Sequence, residues 1–165
     1  MMKITTWALA ICFVLPMGLG SAAQAQMPKQ GKFEMMGIYN GKLGDSIKIG
    51  DHKLSYYPLT LLNFNKAGKG FLHNTSSACM LTAVPGDFTS YCVTTDMDGD
   101  QIHSIATVVG GELGVSGGGR RSTFTGGTGK YEGIQGGYSY EAIYAPKLEG
   151  VLLGHIVGAG EYTIP

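Results

Sequence analysis

The chain has 165 residues and carries 12 basic and 12 acidic side chains, with 27 glycines and 44% hydrophobic residues. Charges of both signs are interspersed along it. This argues against a nucleic-acid partner, which needs a concentrated basic surface, and against electrostatic binding to a membrane. The length suits one domain with a sizeable hydrophobic core.

The first 25 residues have the three parts of a secretory signal peptide. Lys3 supplies a short basic region, residues 7–20 form an apolar run, and Ala23-Gln24-Ala25 is a small-x-small cleavage site. The apolar run is too short for a comfortable transmembrane span. We therefore expect a mature protein that begins at Gln26, is periplasmic or secreted, and is not stably inserted in a membrane.

The mature chain is predicted to contain a loose segment, residues 26–32, followed by one β domain, residues 33–165. No stretch keeps an apolar period of 3.6 residues, and Gly or Pro interrupts each candidate helix. Many short strands separated by Gly turns are typical of an antiparallel sandwich or barrel. The strand-like runs are residues 33–39, 45–57, 60–65, 70–74, 77–95, 96–109, 138–144 and 150–162.

Two cysteines remain after processing, Cys79 and Cys92. They lie in two strand-like runs on either side of Pro85-Gly86. A turn centred there pairs Val84 with Asp87, and the same register places Cys79 opposite Cys92. Opposed residues on antiparallel strands have Cβ atoms about 4.5–5.5 Å apart, which is close to disulfide reach. An oxidising compartment favours the bond, so we predict a disulfide.

The next hairpin is predicted to turn at Asp98-Gly99, a strong hairpin signal. That register pairs Cys92 with Ile105 and Thr94 with His103. Because side chains alternate between the faces of a sheet, one face of the two hairpins is more apolar and aromatic, and we assign it to the core. It carries Met80, Thr82, Val84, Tyr91, Val93, Ile102, Ala106 and Val108.

A glycine-rich stretch covers residues 124–141. It is not a phosphate-binding loop, because Lys130 is followed by Tyr131 and strand-like residues follow where such a loop needs a helix. It is also not a linker, because its aromatic side chains favour burial. We predict a tight turn or bulge in which Gly126, Gly127 and Gly129 adopt conformations or approaches that other residues resist.

Residues 126–133, GGTGKYEG, with Gly136 three positions on, resemble the GG[ST]GxFxGxxG signature of allene oxide cyclases and plant dirigent proteins. The similarity continues through residues 144–158. The resemblance implies a closed, eight-stranded antiparallel β-barrel with an internal cavity. Glu34 and Asn40 give no convincing match to the catalytic residues of the cyclases, so the resemblance assigns no catalytic residue and enzymatic function is not carried over; a cyclase or isomerase-like activity stays an open alternative that rests on the resemblance alone.

Tyr138, Tyr140 and Tyr144 lie on one face of a predicted strand, because they are spaced by two. They either line a cavity or pack in the core. With Tyr91 on the predicted core face, they form our predicted ligand-binding set.

Asp96, Asp98 and Asp100 look like the start of a calcium loop. An EF-hand needs Glu at the twelfth position, where this chain has Thr107, so a solvated hairpin tip is favoured over a metal site. We assign neither a metal nor a cofactor to the chain.

A second glycine run, Gly117-Gly118-Gly119, precedes Arg120 and Arg121. Successive backbone amides and two cations could hold an anion. A flexible turn that ends in two solvated arginines is the favoured interpretation.

Three functional hypotheses follow. The first is an exported barrel that binds a small apolar or aromatic ligand in its lumen. The second is an enzyme of the cyclase or dirigent type that steers a reactive intermediate by the shape of its cavity. The third is a filled barrel with a structural or interaction role that forms a homo-oligomer.

Processing can be tested directly. We expect protein exported by a bacterial host to have the mass of a chain that begins at Gln26, as measured by intact-mass spectrometry. A mature mass that still includes Trp7 would contradict the export prediction.

Overall fold

A computed structural model describes residues 27–42, 44–84, 87–108, 119–146 and 148–165. The predicted signal peptide, Gln26, Pro85-Gly86 and Gly117-Gly118 lie outside these ranges. Nine strands are present in the described ranges. They are β1 (Gln30–Lys42), β2 (Ser46–Ile49), β3 (His52–Asn65), β4 (Thr75–Val84), β5 (Asp87–Thr95), β6 (Gln101–Val108), β7 (Arg120–Gly127), β8 (Gln135–Tyr144) and β9 (Val151–Thr163).

The strands form a closed antiparallel barrel. From β3 to β9 each strand pairs with the next one in the chain, and β1 pairs with both β9 and β3, which completes a ring of eight. The short strand β2 pairs with β3 outside the ring. The predicted fold class, an all-β barrel of eight strands, is therefore confirmed. No helix in the described part of the chain is long and apolar enough to cross a membrane.

Several strand boundaries differ from the predicted runs, and β7 is not among those runs. β1 begins at Gln30, inside the segment that we expected to be loose. Residues 70–74, predicted as a strand, instead belong to the turns between β3 and β4. The side chain of Asn65 holds this connection, since its amide donates to the carbonyl of Phe71 at 2.9 Å and its oxygen accepts from the amide of Ala67 at 2.9 Å.

Aromatic side chains fill one end of the lumen. The connection after β3 places Phe71 inside the barrel, where its ring stacks on Tyr162 with 3.9 Å between centroids. Phe33 and Phe124 pack around it, with centroids 4.9 and 5.7 Å from that of Phe71. All four are at most 7% exposed. Pairs of this kind stabilise a core beyond the apolar area that they bury, so this end of the barrel is a packed plug.

The β4–β5 hairpin has the predicted register. Val84 pairs with Asp87 and Cys79 with Cys92, and the two cysteines form a disulfide with their Cα atoms 4.2 Å apart. In the chain-entropy model a loop of this length contributes about 3 kcal/mol to the free energy of unfolding.

The β5–β6 hairpin is one residue out of the predicted register. Thr94 pairs with Ile102 and Cys92 with Ser104, because the connection is a five-residue loop, Asp96 to Asp100. The Asp96 carboxylate sets this loop by accepting from the amides of Asp98 and Asp100 at 2.9 and 3.0 Å.

The predicted core face is therefore wrong on β4 and β5. A slip of one residue reverses which side chains point inward. Ile102 and Ala106 are buried as predicted, but on the same side as the disulfide. The residues of the predicted face that point outward and are more than a third exposed are Met80, Val84, Tyr91 and Val93.

The glycine-rich stretch joins β7 to β8 through one 3-10 turn, Gly129–Tyr131, as a tight turn rather than a phosphate loop. Gly129 has φ +54°, and a Cβ there would collide with the Asp100 carboxylate. At Gly127 a Cβ would lie 2.6 Å from the carbonyl oxygens of Gln101 and Tyr131. Gly126 has φ +155° with open space beside it. The predicted need for glycine is thus confirmed, and the turn packs against the β5–β6 loop.

Asp96 is the centre of that packing. Its side chain is 9% exposed; its Oδ2 accepts from the Tyr131 hydroxyl at 2.9 Å and lies 2.7 Å from the Lys130 ammonium. Burial alone would raise the pKa of Asp96, but the hydrogen bonds from Lys130, Tyr131 and the Asp98 amide outweigh it and hold the pKa below its usual value. The ionised carboxylate therefore fastens the turn to the loop.

We expect Asp96→Asn to lower the free energy of unfolding by about 1–3 kcal/mol at neutral pH, because the Lys130 and Tyr131 donors lose their acceptor. A lowered folded-state pKa stabilises the fold above the ordinary carboxyl pKa of about 3.9, and that stabilisation is lost as the pH falls through the folded value. The stability gap to wild type should therefore narrow in acid.

Thermal or urea unfolding from neutral pH to pH about 3 measures this gap. Glu34→Gln is the matched control, because Glu34 pairs with Lys66 at 2.9 Å with both side chains more than half exposed. A gap for Asp96→Asn that stays constant with pH would contradict the assignment.

Candidate functional site

The half of the lumen opposite the aromatic plug contains a cavity of about 70 Å3. Every described strand of the ring contributes to its wall. Tyr144, 43% exposed, lies where the cavity meets solvent. The lining residues are apolar or aromatic side chains, two serines and one arginine. They are Tyr39, Leu59, Leu61, Cys79, Leu81, Phe88, Ser90, Cys92, Ala106, Arg120, Ser122, Tyr138, Tyr140, Ala142, Tyr144, Leu152 and Ile156.

The predicted tyrosines separate into two groups. Tyr138, Tyr140 and Tyr144 all line the cavity, as their spacing by two requires. Tyr91 lies on the outside of β5 and is 56% exposed, so it does not line the lumen. Tyr39 on β1 completes the aromatic wall, with its ring centroid 6.2 Å from that of Tyr144. Sequence reasoning missed Tyr39, although its even spacing from the buried Phe33 indicated the inner face.

Arg120 is the one charged side chain among the described residues of this lining. It opens β7 and is only 9% exposed, because Arg120, Ser122 and Phe124 alternate onto the inner face of the barrel. Its guanidinium lies over the ring of Phe88, 5.2 Å from the centroid. The expectation of two solvated arginines is therefore wrong for Arg120, while Arg121 points outward and is exposed. Counting back by two from Phe124 would have found the inward position.

The guanidinium of Arg120 is only partly satisfied. Its Nη2 donates to the Tyr144 hydroxyl at 3.1 Å, and its buried Nη1 has no hydrogen-bond partner in the described part of the chain. Among the described residues, no carboxylate forms an ion pair with it; the ion pairs found there involve Lys66 and Lys130.

The tyrosines of the wall do not neutralise Arg120. Burial raises the pKa of Tyr39 to about 12, with Tyr144 adding to the rise and Arg120 opposing it. Burial also raises the pKa values of Tyr138 and Tyr140. The three phenols are therefore neutral near pH 7, and the positive charge of Arg120 is not compensated by them.

A chain of buried hydroxyls and one amide runs along the inner wall over three neighbouring strands. The Asn63 amide donates to Thr75 Oγ1 at 3.2 Å and to Ser77 Oγ at 2.8 Å, and Ser77 bonds Thr94 at 2.7 Å. These groups satisfy one another, which is what buried polar groups require. They tie β3, β4 and β5 together.

At the tip of the β5–β6 hairpin, the three aspartates that look like the start of a calcium loop surround a lysine side chain. The Lys130 ammonium lies 2.7 Å from Asp96 Oδ2 and 4.0 Å from Asp100 Oδ2, and also pairs with Asp98. Across the described ranges, no group of three or more side chains is arranged to hold a metal ion. The three aspartates therefore act as acceptors for the glycine-rich turn.

Comparison with known proteins gives no match, whether to a family model, to a curated protein or to a solved structure. The resemblance to allene oxide cyclases and dirigent proteins stays a prediction. The lumen must therefore be interpreted from its own residues.

A buried, incompletely bonded cation should cost stability. We expect Arg120→Met, which fills similar space without charge, to raise the free energy of unfolding by about 1 kcal/mol. Tyr144 loses a donor but remains accessible to water. Arg121→Met is the matched control on the outer face and should change stability by less than about 0.5 kcal/mol.

Chemical denaturation of the three proteins tests this. A clear fall in the free energy of unfolding of Arg120→Met, with none in Arg121→Met, would contradict the prediction. It would mean that the guanidinium stabilises the barrel.

Proposed function

We propose that the protein binds a small ligand with an apolar or aromatic part in the lumen of its barrel. The observation that carries this proposal is the cavity itself, walled by leucines, alanines and four tyrosines and adjoining solvent at Tyr144. Ligand sites are typically concave and mostly apolar, with a few placed polar groups, and a barrel mouth is a common location. Eight-stranded barrels have room for one small ligand when side chains leave it.

The size of the cavity restricts the ligand. About 70 Å3 is more than the share of one water molecule and about half of an engineered cavity of ~150 Å3 that binds benzene. It is well below the ~300–1,000 Å3 of sites for drug-sized ligands. The buried part of the ligand is therefore a short alkyl group, smaller than a benzene ring, and any remainder lies toward the solvent side at Tyr144.

The described residues of the lining give the cyclase alternative no support, because none of them is a carboxylate or imidazole that could act as a general acid or base. We propose that binding takes place in the periplasm or outside the cell. The signal-like N-terminus supports this, as does the Cys79–Cys92 disulfide, since such bonds persist in oxidising compartments.

The homo-oligomer alternative has one observation in its favour. Met80, Tyr91 and Val93 lie exposed on neighbouring positions of β4 and β5, and Ile38 and Leu62 are exposed nearby on β1 and β3. Light scattering of the purified protein distinguishes a monomeric binder from an oligomer that covers this face.

Filling the cavity tests the proposed function. Ala106 lines the lumen, whereas Ala78 lies exposed on the outer face of β4, so Ala106→Leu and Ala78→Leu are the same change on opposite sides of the wall. The probes are 3-methylbutanoate and its neutral amide, 3-methylbutanamide. We expect Ala106→Leu to weaken binding of both by at least about tenfold and Ala78→Leu to leave it unchanged.

Isothermal titration calorimetry or protein-observed NMR measures the affinities. The melting temperature of each variant verifies that it is folded. Equal binding by the two variants would place the site outside the lumen.

A further inference from the structure

We propose that the natural ligand carries a carboxylate, which pairs with Arg120 while its apolar part fills the cavity. This inference rests on the proposed function and names the chemical class of its ligand. It is carried by the free donor of Arg120 and by the lack of a counter-ion among the described residues.

The free donor is a specific observation. Arg120 is 91% buried, and its Nη1 is shielded from solvent with no partner in the described ranges. More than nine in ten buried polar groups in proteins are hydrogen-bonded, so an unpartnered buried cation requires an explanation. An uncompensated buried charge is costly, and a ligand that supplies the missing acceptor would recover that free energy.

The described residues around Arg120 offer no anion. Its neighbours across the sheet are Val108 and Tyr140, and the ring of Phe88 covers its face. Ser90 and Ser122 line the same cavity as neutral hydroxyls. The site is thus positively charged and otherwise neutral, which selects against a cation.

The geometry favours a carboxylate over other acceptors. A guanidinium presents planar, parallel N–H donors that match the two oxygens of a carboxylate. The Tyr144 hydroxyl accepts from Nη2 at 3.1 Å, so its own proton remains available to a second ligand oxygen. A carboxylate that reaches both Nη1 and Tyr144 would therefore accept a hydrogen bond from each. The half-exposed position of Tyr144 gives this group a path to solvent.

The carboxylate and amide probes differ in charge but hardly in shape. The ratio of their dissociation constants therefore measures what the negative charge contributes to binding. We expect wild-type processed protein to bind 3-methylbutanoate at least about tenfold more tightly than 3-methylbutanamide, since charge-assisted hydrogen bonds are about twice as strong as neutral ones. Arg120→Met should lose this preference and bind the two probes about equally, because its affinity for the carboxylate falls further than its affinity for the amide. Arg121→Met should retain the wild-type ratio, and Tyr144→Phe should reduce it.

Each contrary outcome has its own meaning. In the first, wild type binds the two probes equally while Ala106→Leu still weakens both. That result would overturn the proposal that the ligand carries a carboxylate, but it would support binding in the lumen. No binding of either probe would overturn both proposals. Inorganic phosphate that binds as tightly as the carboxylate, whether or not Ala106 is changed, would indicate an anion site that does not use the cavity and would overturn the inference.

Glu112, which lies outside the described residues, is included as a final variant because it is an acidic residue close to Arg120 in the sequence. We expect Glu112→Gln to bind the probes as wild type does. Carboxylate binding that appears only in Glu112→Gln would mean that the chain supplies its own counter-ion, which would overturn the proposal.

Discussion

Closure of the ring is the constraint on which the rest of the structure depends. Because β1 pairs with both β9 and β3, every strand of the barrel has one face toward a common interior. An interior of eight strands is only just wide enough to be filled by side chains, so a few large residues decide whether any space is left. Even spacing along each strand then determines which groups meet in the lumen.

The two ends of that interior have different properties. At one end, the rings of Phe71 and Tyr162 stack on each other, and Asp96 pairs with Lys130 of the glycine-rich turn, so the apolar and polar groups are satisfied internally. At the other end, Arg120 keeps a buried donor without a partner in the described ranges. The packed end can stabilise the barrel while the other end holds a charge that disfavours folding, a division often found where a fold supports a binding site.

Register explains both the successes and the errors of the sequence predictions. The β4–β5 register was predictable, because a two-residue connection fixes the pairing on both sides and places Cys79 opposite Cys92. The β5–β6 register was not, because the Asp96 carboxylate organises a five-residue loop around the same Asp98-Gly99 turn signal. Relative to the predicted pairing, the register of β5 and β6 is shifted by one residue. The predicted inner face of β5 is therefore its outer face, and Tyr91 is exposed.

The sequence by itself determined the all-β class and the Cys79–Cys92 disulfide, since both depend on residues that are near one another in the chain. It also predicted the need for glycine at 127 and 129, although part of that need comes from Gln101 and Asp100 on the neighbouring hairpin. The tertiary structure decided that Phe71 enters the barrel, that Lys130 pairs with the aspartates and that Arg120 points inward beside Tyr144. The reason is physical: these contacts join residues from separate strands, and only closure of the ring and the length of each loop bring them together.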